Sequence, residues 1–509
     1  MRISLPYHCD GSQWLAILGP HNSACVSAVR RQNKGALPAM IRRFSIVLIL
    51  SLVFSCHPAS AQLLSGVLGG STSTSTSTSA SAGGVVVRTT LGLPGLQLVC
   101  LLQGCSVVRN LDGSANQVFL VKPNNGLLPN LLAGVLRLVI GILDAEVDEV
   151  VKIPASPSDQ AQAANPPGGL WDSTPVSYYG TSAPEGYVNQ PAAQIIHVSQ
   201  SHGAFKVSGK GIIADIDTGV DPNHPALHAV LLAGYDFTRN QAGGSEMTDI
   251  GYTSGSSCSS SNPCQVAYVN QHTAAMLDQH TAAMLDQHTA AMLDNSKYAA
   301  FGHGTMVAGV LHLVAPTAKI MPLKAFHADG SANLSDIIHA VYYAVQNHAN
   351  VINMSFNLTA PSQELTNALN FATNNNVISV ASSGNDGKEE IVYPAALPDV
   401  MGSASTSNSD QRSTFSNYGD QIVWVAAPGE AIITTYPFGF YAAGWGTSFS
   451  SPLVAGTASL VFNLAPVSNQ KVAAWAIGHA VWIGPNMGDG RLDTYKALSA
   501  ISPVQGLLH

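Results

Sequence analysis

The chain has 509 residues with 22 Lys or Arg and 30 Asp or Glu, so charged residues make up 10% against about 25% in ordinary globular proteins, and the net charge is −8. With 46% hydrophobic residues this is not a generally disordered chain, and the lack of a basic block beyond the N-terminal region argues against nucleic acid as the main partner. Forty-six glycines and 28 prolines suit a loop-rich globular protein rather than a bundle or coiled coil, and at roughly 150 residues per domain the length points to three units or fewer.

Residues 1–39 show no clear periodicity. Met40-Ile41-Arg42-Arg43, the apolar run Phe44–Phe54 and Ala59-Ser60-Ala61 supply the basic, apolar and small-residue parts of a secretory signal peptide. The run is too short for a membrane span, which needs about 20 residues. Residues 1–61 are therefore expected to be an N-terminal extension plus signal, with translation starting at Met40, cleavage after Ala61 and export to an extracellular or periplasmic space. Lipidation at Cys56 is the alternative, and the bulky Phe54 stands against it. In such a compartment Cys100 with Cys105, and Cys258 with Cys264, form two close pairs suited to short-loop disulfides. Neither pair has the further Cys and His ligands that zinc requires.

Residues 62–84 form a linker dominated by the Ser/Thr tract Ser71–Ser81. Residues 85–154 are expected to form a small α+β unit. Val85-Val86-Val87 and Val118-Phe119-Leu120-Val121 are predicted strands, Leu131–Leu143 a buried helix, and Val147, Val150, Val151 and Ile153 mark a last strand. The stretch 155–169 (ASPSDQAQAANPPGG) is a second linker. Residues 170–509 alternate apolar strands, such as Gly211-Ile212-Ile213-Ala214, with helical stretches, as one large α/β domain would. An insertion over about 240–298 carries three copies of QHTAAMLD, Gln271–Asp294. Eight residues advance a helix by about 800°, so His272, His280 and His288 would not share a helical face. A tandem duplication in a surface insertion accounts for them better than a metal site.

Three segments carry chemistry. Ile212-Ile213-Ala214-Asp215-Ile216-Asp217-Thr218-Gly219 is an apolar strand that delivers a carboxylate into a tight turn, at the strand end where α/β folds build sites. His303-Gly304-Thr305-Met306-Val307-Ala308-Gly309 places a histidine at the start of an apolar helix. Gly446-Thr447-Ser448-Phe449-Ser450-Ser451-Pro452 places Ser448 at the start of another, with Pro452 in its first turn. There the free N–H groups and the helix dipole favour negative charge beside the hydroxyl.

In order and in local wording these segments resemble the subtilisin-like serine proteases (subtilases), over about Gly209–Leu498, with a weaker likeness of Val85–Ile153 to the family's inhibitory propeptide. The resemblance implies a subtilisin-like parallel sheet flanked by helices, preceded by a small α+β propeptide domain. It implies a secreted, self-processing zymogen that hydrolyses peptide bonds through an acyl-enzyme. Ser448 would be the nucleophile, His303 its general base and then acid, and Asp217 the group that orients and stabilises the imidazole. Val380-Ala381-Ser382-Ser383-Gly384-Asn385 matches the segment whose Asn completes the oxyanion hole, here Asn385 with the Ser448 N–H. Ser355, Phe356, Asn357, Ser383 and Gly384 match substrate-binding positions. Asn357 stands where the family commonly has glycine and would narrow the S1 pocket, and Asp386 would favour a basic P1 residue. Asp215 stands where an apolar residue is usual; two carboxylates on one strand face would raise each other's pKa, unless Asp215 is paired elsewhere.

The run from His303 to Pro316 is short, so the tight calcium site of many subtilases is expected to be absent, and no cofactor is implied. The Asp–His gap is long, and its insertion would rim the cleft. The partners implied are protein or peptide substrates and the chain's own propeptide as intramolecular inhibitor, with no transmembrane segment beyond the signal. Two other readings remain. One is a catalytically silent subtilase fold used as a binding scaffold. The other, an α/β-hydrolase esterase, is disfavoured because that fold wants G-x-S-x-G and the order Ser, Asp, His.

Overall fold

The structure, a computed structural model, describes residues 81–124, 126–153, 167–251, 296–466 and 469–505. The expected signal segment, Cys56, nearly all of the Ser/Thr tract, most of the 155–169 linker, Cys258, Cys264 and the octapeptide copies lie outside the described residues.

The N-terminal module runs β1 (Ser81–Thr89), α1 (Gly92–Gln103), β2 (Cys105–Asn110), β3 (Val118–Pro123), α2 (Pro129–Leu136) and β4 (Ile142–Lys152). The expected strands at Val85–Val87 and Val118–Val121 lie within β1 and β3. Helix α1 and strand β2 are additions that the apolar run through Leu102 did not distinguish. Gly104, with φ 71°, closes α1, and a disulfide between Cys100 and Cys105 ties that end to β2.

The helix expected over Leu131–Leu143 is shorter. Pro129 opens it, it ends at Leu136, and Gly141 with φ 94° turns the chain into β4. A continuous aliphatic run has no period by which to locate that break. The surplus is not buried either: Leu138 is 84% and Ile140 87% exposed.

The larger part of the chain supplies β5 (Ile212–Asp217), β6 (Tyr235–Asp236), β7 (Gln241–Ala242), α3 (His303–Val314), β8 (Lys319–Lys324), β9 (Ser331–Asn333) and α4 (Leu334–Gln346). It continues with β10 (Val351–Met354), α5 (Gln363–Asn374), β11 (Ile378–Ser382), β12 (Met401–Thr406), β13 (Val425–Pro428) and α6 (Thr447–Leu464). Eight strands form one sheet in the order β13-β12-β11-β10-β5-β8-β6-β7, parallel except for the terminal β6–β7 pair. Apart from the terminal β6–β7 pair, the strands are largely buried on both faces, as parallel strands covered by helices must be.

Side chains alternate across such a sheet. Ile213 and Val351 pack into the apolar cluster that holds α3 and α6, whereas Ala214, Ile216, Ile352 and Met354 face α4 and α5. Period two therefore puts Asp215, Asp217 and Asn353 on the α3/α6 side. Every residue of α3 is buried, as are the first fifteen of α6, which is why both helices read as apolar all round.

The N-terminal module joins this domain through a second sheet, β9-β4-β1-β3-β2, in which β4 pairs antiparallel with β9 (Ser331↔Lys152, Ala332↔Val151, Asn333↔Val150). Two carboxylates of β4 cap helices of the larger domain. Asp148 accepts the Ser335 N–H at 2.8 Å and its hydroxyl at 2.9 Å at the start of α4. Glu146 accepts the Ser362 hydroxyl at 2.6 Å and the N–H groups of Gln363 and Glu364 at 3.1 and 3.2 Å at the start of α5. Arg88 grips Glu364 at 2.7–3.0 Å and Arg109 pairs with Asp336.

Candidate active site

Asp217 ends β5 and is 1% exposed. The Thr218 N–H bonds its Oδ1 at 2.6 Å, and His303 Nδ1 lies 2.8 and 2.9 Å from its two oxygens. A carboxylate only accepts, so Nδ1 carries a proton, and in the neutral ring Nε2 keeps its lone pair. Nε2 is buried and has no partner among the described residues. His303 is the first residue of α3, and its helix comes close enough to the turn after Asp217 that a Cβ on Gly304 would lie 2.1 Å from the Gly219 carbonyl oxygen. Only glycine at 304 lets the two motifs meet.

Ser448 is the second residue of α6 and is 1% exposed. The His303 ring packs against Phe449, the next residue, at 6.0 Å between centroids. The Ser448 hydroxyl donates to the Ser355 carbonyl at 3.2 Å and is not bonded to Nε2; catalytic hydrogen bonds commonly tighten only when substrate is present. Pro452 sits in the second turn of α6, one turn later than expected, and removes the N–H that would reach the Ser448 carbonyl. The Ser355 hydroxyl fills that role, donating to the Ser448 carbonyl at 3.0 Å.

That hydroxyl belongs to a buried polar chain. Asn353 Nδ2 donates to Ser355 Oγ at 3.1 Å and to Asp215 Oδ1 at 3.0 Å, while Asn353 Oδ1 accepts from Ser451 at 2.8 Å. Asp215 thus pairs with an amide rather than a cation or the backbone. Its other oxygen has no partner among the described residues, and burial, with the Asp217 charge second, holds its pKa well above the usual carboxylate range. Pairing with the Asn353 amide, which leaves the carboxyl without a cation, thus goes together with surroundings that favour its protonated form.

Asn385 Oδ1 accepts the Thr447 N–H at 2.9 Å and its hydroxyl at 2.8 Å. Those bonds fix the amide so that Nδ2 is left buried, with no partner among the described residues. Gly446, with φ 148°, runs beside it, and a Cβ there would stand 3.3 Å from Nδ2. The Ser448 N–H, in the first turn of α6, has no intrahelical acceptor.

The five residues matched to substrate binding separate. Ser355 and Ser383 are buried, their hydroxyls bonded to the Ser448 and Asn417 carbonyls. The Phe356 side chain is fully buried, 5.1 Å from Phe326 between centroids, so only its backbone is available. The Gly384 N–H donates to Thr447 Oγ1 at 3.2 Å. Asn357 is half-buried with Nδ2 unpartnered, and a Cβ on Gly384 would lie 2.5 Å from that nitrogen. Asp386 is exposed and tied to Asn417 at 3.3 Å.

The insertion expected at the cleft rim behaves otherwise at its described start. Glu246, Met247 and Ile250 are buried, and Glu246 is bonded to Gly302 and Thr305 beside His303. Sequence reasoning missed Glu246, for which Gly-Gly-Ser-Glu-Met offers no signal. It also missed Asn353, whose one clue is a polar residue inside an apolar strand.

A parallel sheet with an Asp-bound imidazole and a helix-borne serine at its C-terminal end is the architecture of a subtilisin-like hydrolase. Residues 209–493 match the model of the subtilase family, and the chain belongs to that family. Thermitase of Thermoactinomyces vulgaris is 30% identical, over 64% of this chain and 99% of its own length. A thermophilic serine proteinase of Bacillus sp. (strain AK1) is 32% identical over 49% of this chain, and the chain spans about half (51%) of that relative. Among solved structures, fervidolysin from Fervidobacterium pennivorans, described as a keratinolytic enzyme related to subtilisin, shares the fold with a TM-score of 0.60 at 19% identity, over 83% of this chain and 61% of that one.

Proposed function

We propose that the chain is a serine endopeptidase made as a self-processing zymogen. The observation that carries this reading is a pair of buried, unpartnered groups beside Ser448: the lone pair of His303 Nε2 and the Asn385 Nδ2 donor. Leaving such groups unsatisfied costs about 1–3 kcal/mol each, which is offset if a reacting substrate completes them. Ser448 Oγ attacks the scissile carbonyl as His303 Nε2 takes its proton. Asp217 holds the Nδ1–H tautomer and stabilises the imidazolium. The oxyanion is received by Asn385 Nδ2 and the Ser448 N–H. His303 then protonates the leaving amine, and water repeats the sequence on the acyl-enzyme. The Asn357 amide over Gly384 supports a narrowed S1 pocket.

The capping contacts of Glu146 and Asp148 and the β4–β9 pairing support the N-terminal module as an intramolecular inhibitor, released by cleavage near 155–169. The Met40–Ala61 pattern supports secretion. Among the described residues no helix is long and apolar enough to cross a membrane. Hydrolysis of unfolded casein by the purified chain, with Ser448→Ala as control, tests the reading. Signal lost in the variant is expected; equal signal from both would favour a silent scaffold. Ser448→Ala should also keep residues 81–152 attached, and normal release from that variant would assign processing to another protease.

A further inference from the structure

Beneath the Asp217–His303 pair lies a carboxyl group that the reaction does not use. Glu246 is fully buried, and its partners stand on both sides of the pair. Its Oε2 accepts the Gly302 N–H at 2.6 Å and the Thr218 hydroxyl at 3.2 Å, and its Oε1 accepts the Thr305 hydroxyl. Gly302 immediately precedes α3 and His303, Thr305 lies in the first turn of α3, and Thr218 follows Asp217. The two threonines extend the tie: Thr218 Oγ1 accepts the Gly304 N–H at 2.9 Å, and Thr305 Oγ1 accepts the Asp221 N–H at 2.8 Å.

We propose that Glu246 is a positioning residue for the triad, its carboxyl group fastening the turn after Asp217 to the first turn of α3 so that the imidazole is held between Asp217 and Ser448. This rests on the hydrolytic reading above. Such a buried group must be matched at each oxygen, and three donors converge on two oxygens here, a pattern that suits the anion. The surroundings oppose one another. Burial is the largest influence and pushes the Glu246 carboxyl up to about 8; the Thr305 and Gly302 bonds and the Lys324 charge lower it, and Asp217 raises it. Lys324 does not touch Glu246: its ammonium bonds the Thr218 and Phe326 carbonyls and Asp249 at 2.7–2.8 Å. Glu246 is in turn one of the charges that raise Asp215, on the same strand face as Asp217. Below the midpoint the acid form must donate through one oxygen, so one of the three donors loses its acceptor.

The test uses the full chain. Glu246→Ala should lower kcat by about 10–100-fold with KM within about twofold, the scale of a misplaced reacting group. Glu246→Gln keeps an acceptor for Gly302 and should retain kcat to within about fivefold, yet lose the inflection near pH 8 expected in kcat of the unaltered chain. A folded Glu246→Ala with unchanged kcat, or superimposable pH profiles for Glu246→Gln and the unaltered chain, would overturn the proposal. If Glu246→Ala does not fold, the Glu246→Gln profile decides. A second readout needs no activity: in Ser448→Ala, the low-field Nδ1 proton resonance of His303 should shift or broaden when Glu246→Gln is added. An unmoved resonance counts against Glu246. Absence of Ser448-dependent hydrolysis in the unaltered chain would sink the functional reading alone and leave this comparison able to decide.

Discussion

Two places in this molecule use the same feature, the start of a buried helix, in opposite ways. At α4 and α5 the free N–H groups are closed by Asp148 and Glu146 from the N-terminal module. At α6 the start is kept open: Thr447 is occupied by Asn385 Oδ1, while the adjoining Asn385 Nδ2 has no partner among the described residues. A filled helix terminus contributes to docking, whereas an empty one beside Ser448 is, in the proposed function, the receptor for charge that develops during reaction. What separates an adhesive site from a reactive one here is whether a carboxylate from elsewhere in the chain arrives to fill it.

The contrast can be broken hardest at the open terminus. Ser448→Ala should lower kcat on a peptide substrate by about 10⁶-fold, the scale reached when subtilisin loses the corresponding group, with thermal stability unchanged. Asn385→Ala should cost about 10²–10³-fold in kcat, with KM little altered, since its donor acts on the oxyanion rather than on bound substrate. At the closed termini the effects are smaller. Asp148→Ala or Glu146→Ala should weaken the hold of the N-terminal module by about 0.5–2 kcal/mol each, the ordinary worth of a cap, read as faster hydrogen exchange along β4 and β9 in full-length Ser448→Ala.

The gentlest probe is pH. Burial pushes Glu146 up to about 7 and Asp148 up to about 6, against the capping hydrogen bonds that lower both. Carboxyls raised in the docked state give stabilisation that is fully present below their ordinary range near 4 and is lost as pH rises through about 6–7. Hydrogen exchange of β4 in Ser448→Ala should therefore quicken between pH 5 and about 7.5, beyond the intrinsic rate change. Protection that instead grows over this interval would contradict the sign.

Much of the site was legible because its parts are local. Asp217 ends an apolar strand, and His303 and Ser448 open apolar helices; strand period and helix termini are properties of a few consecutive residues. Alternation also foretold that Asp215 and Asp217 share a face, and the two close cysteines Cys100 and Cys105 were readable from spacing. The Leu131–Leu143 stretch shows the limit. An unbroken aliphatic run is equally compatible with helix and strand, and nothing in it marks where Gly141 turns the chain.

By itself, then, the sequence determined the helix-flanked parallel sheet and the three residues, Asp217, His303 and Ser448, on which the proposed function rests. Only the tertiary structure decided that Asp215 pairs with Asn353, that Ser355 supplies the hydrogen bond Pro452 removes, and that Glu246 lies under the triad rather than on a surface insertion. These partners are 59 positions apart for Glu246 and Thr305, 138 for Asp215 and Asn353, and 187 for Asp148 and Ser335. A polar side chain carries no local sign of whether it will be solvated or buried. That depends on which distant donors the fold brings within about 3 Å of it.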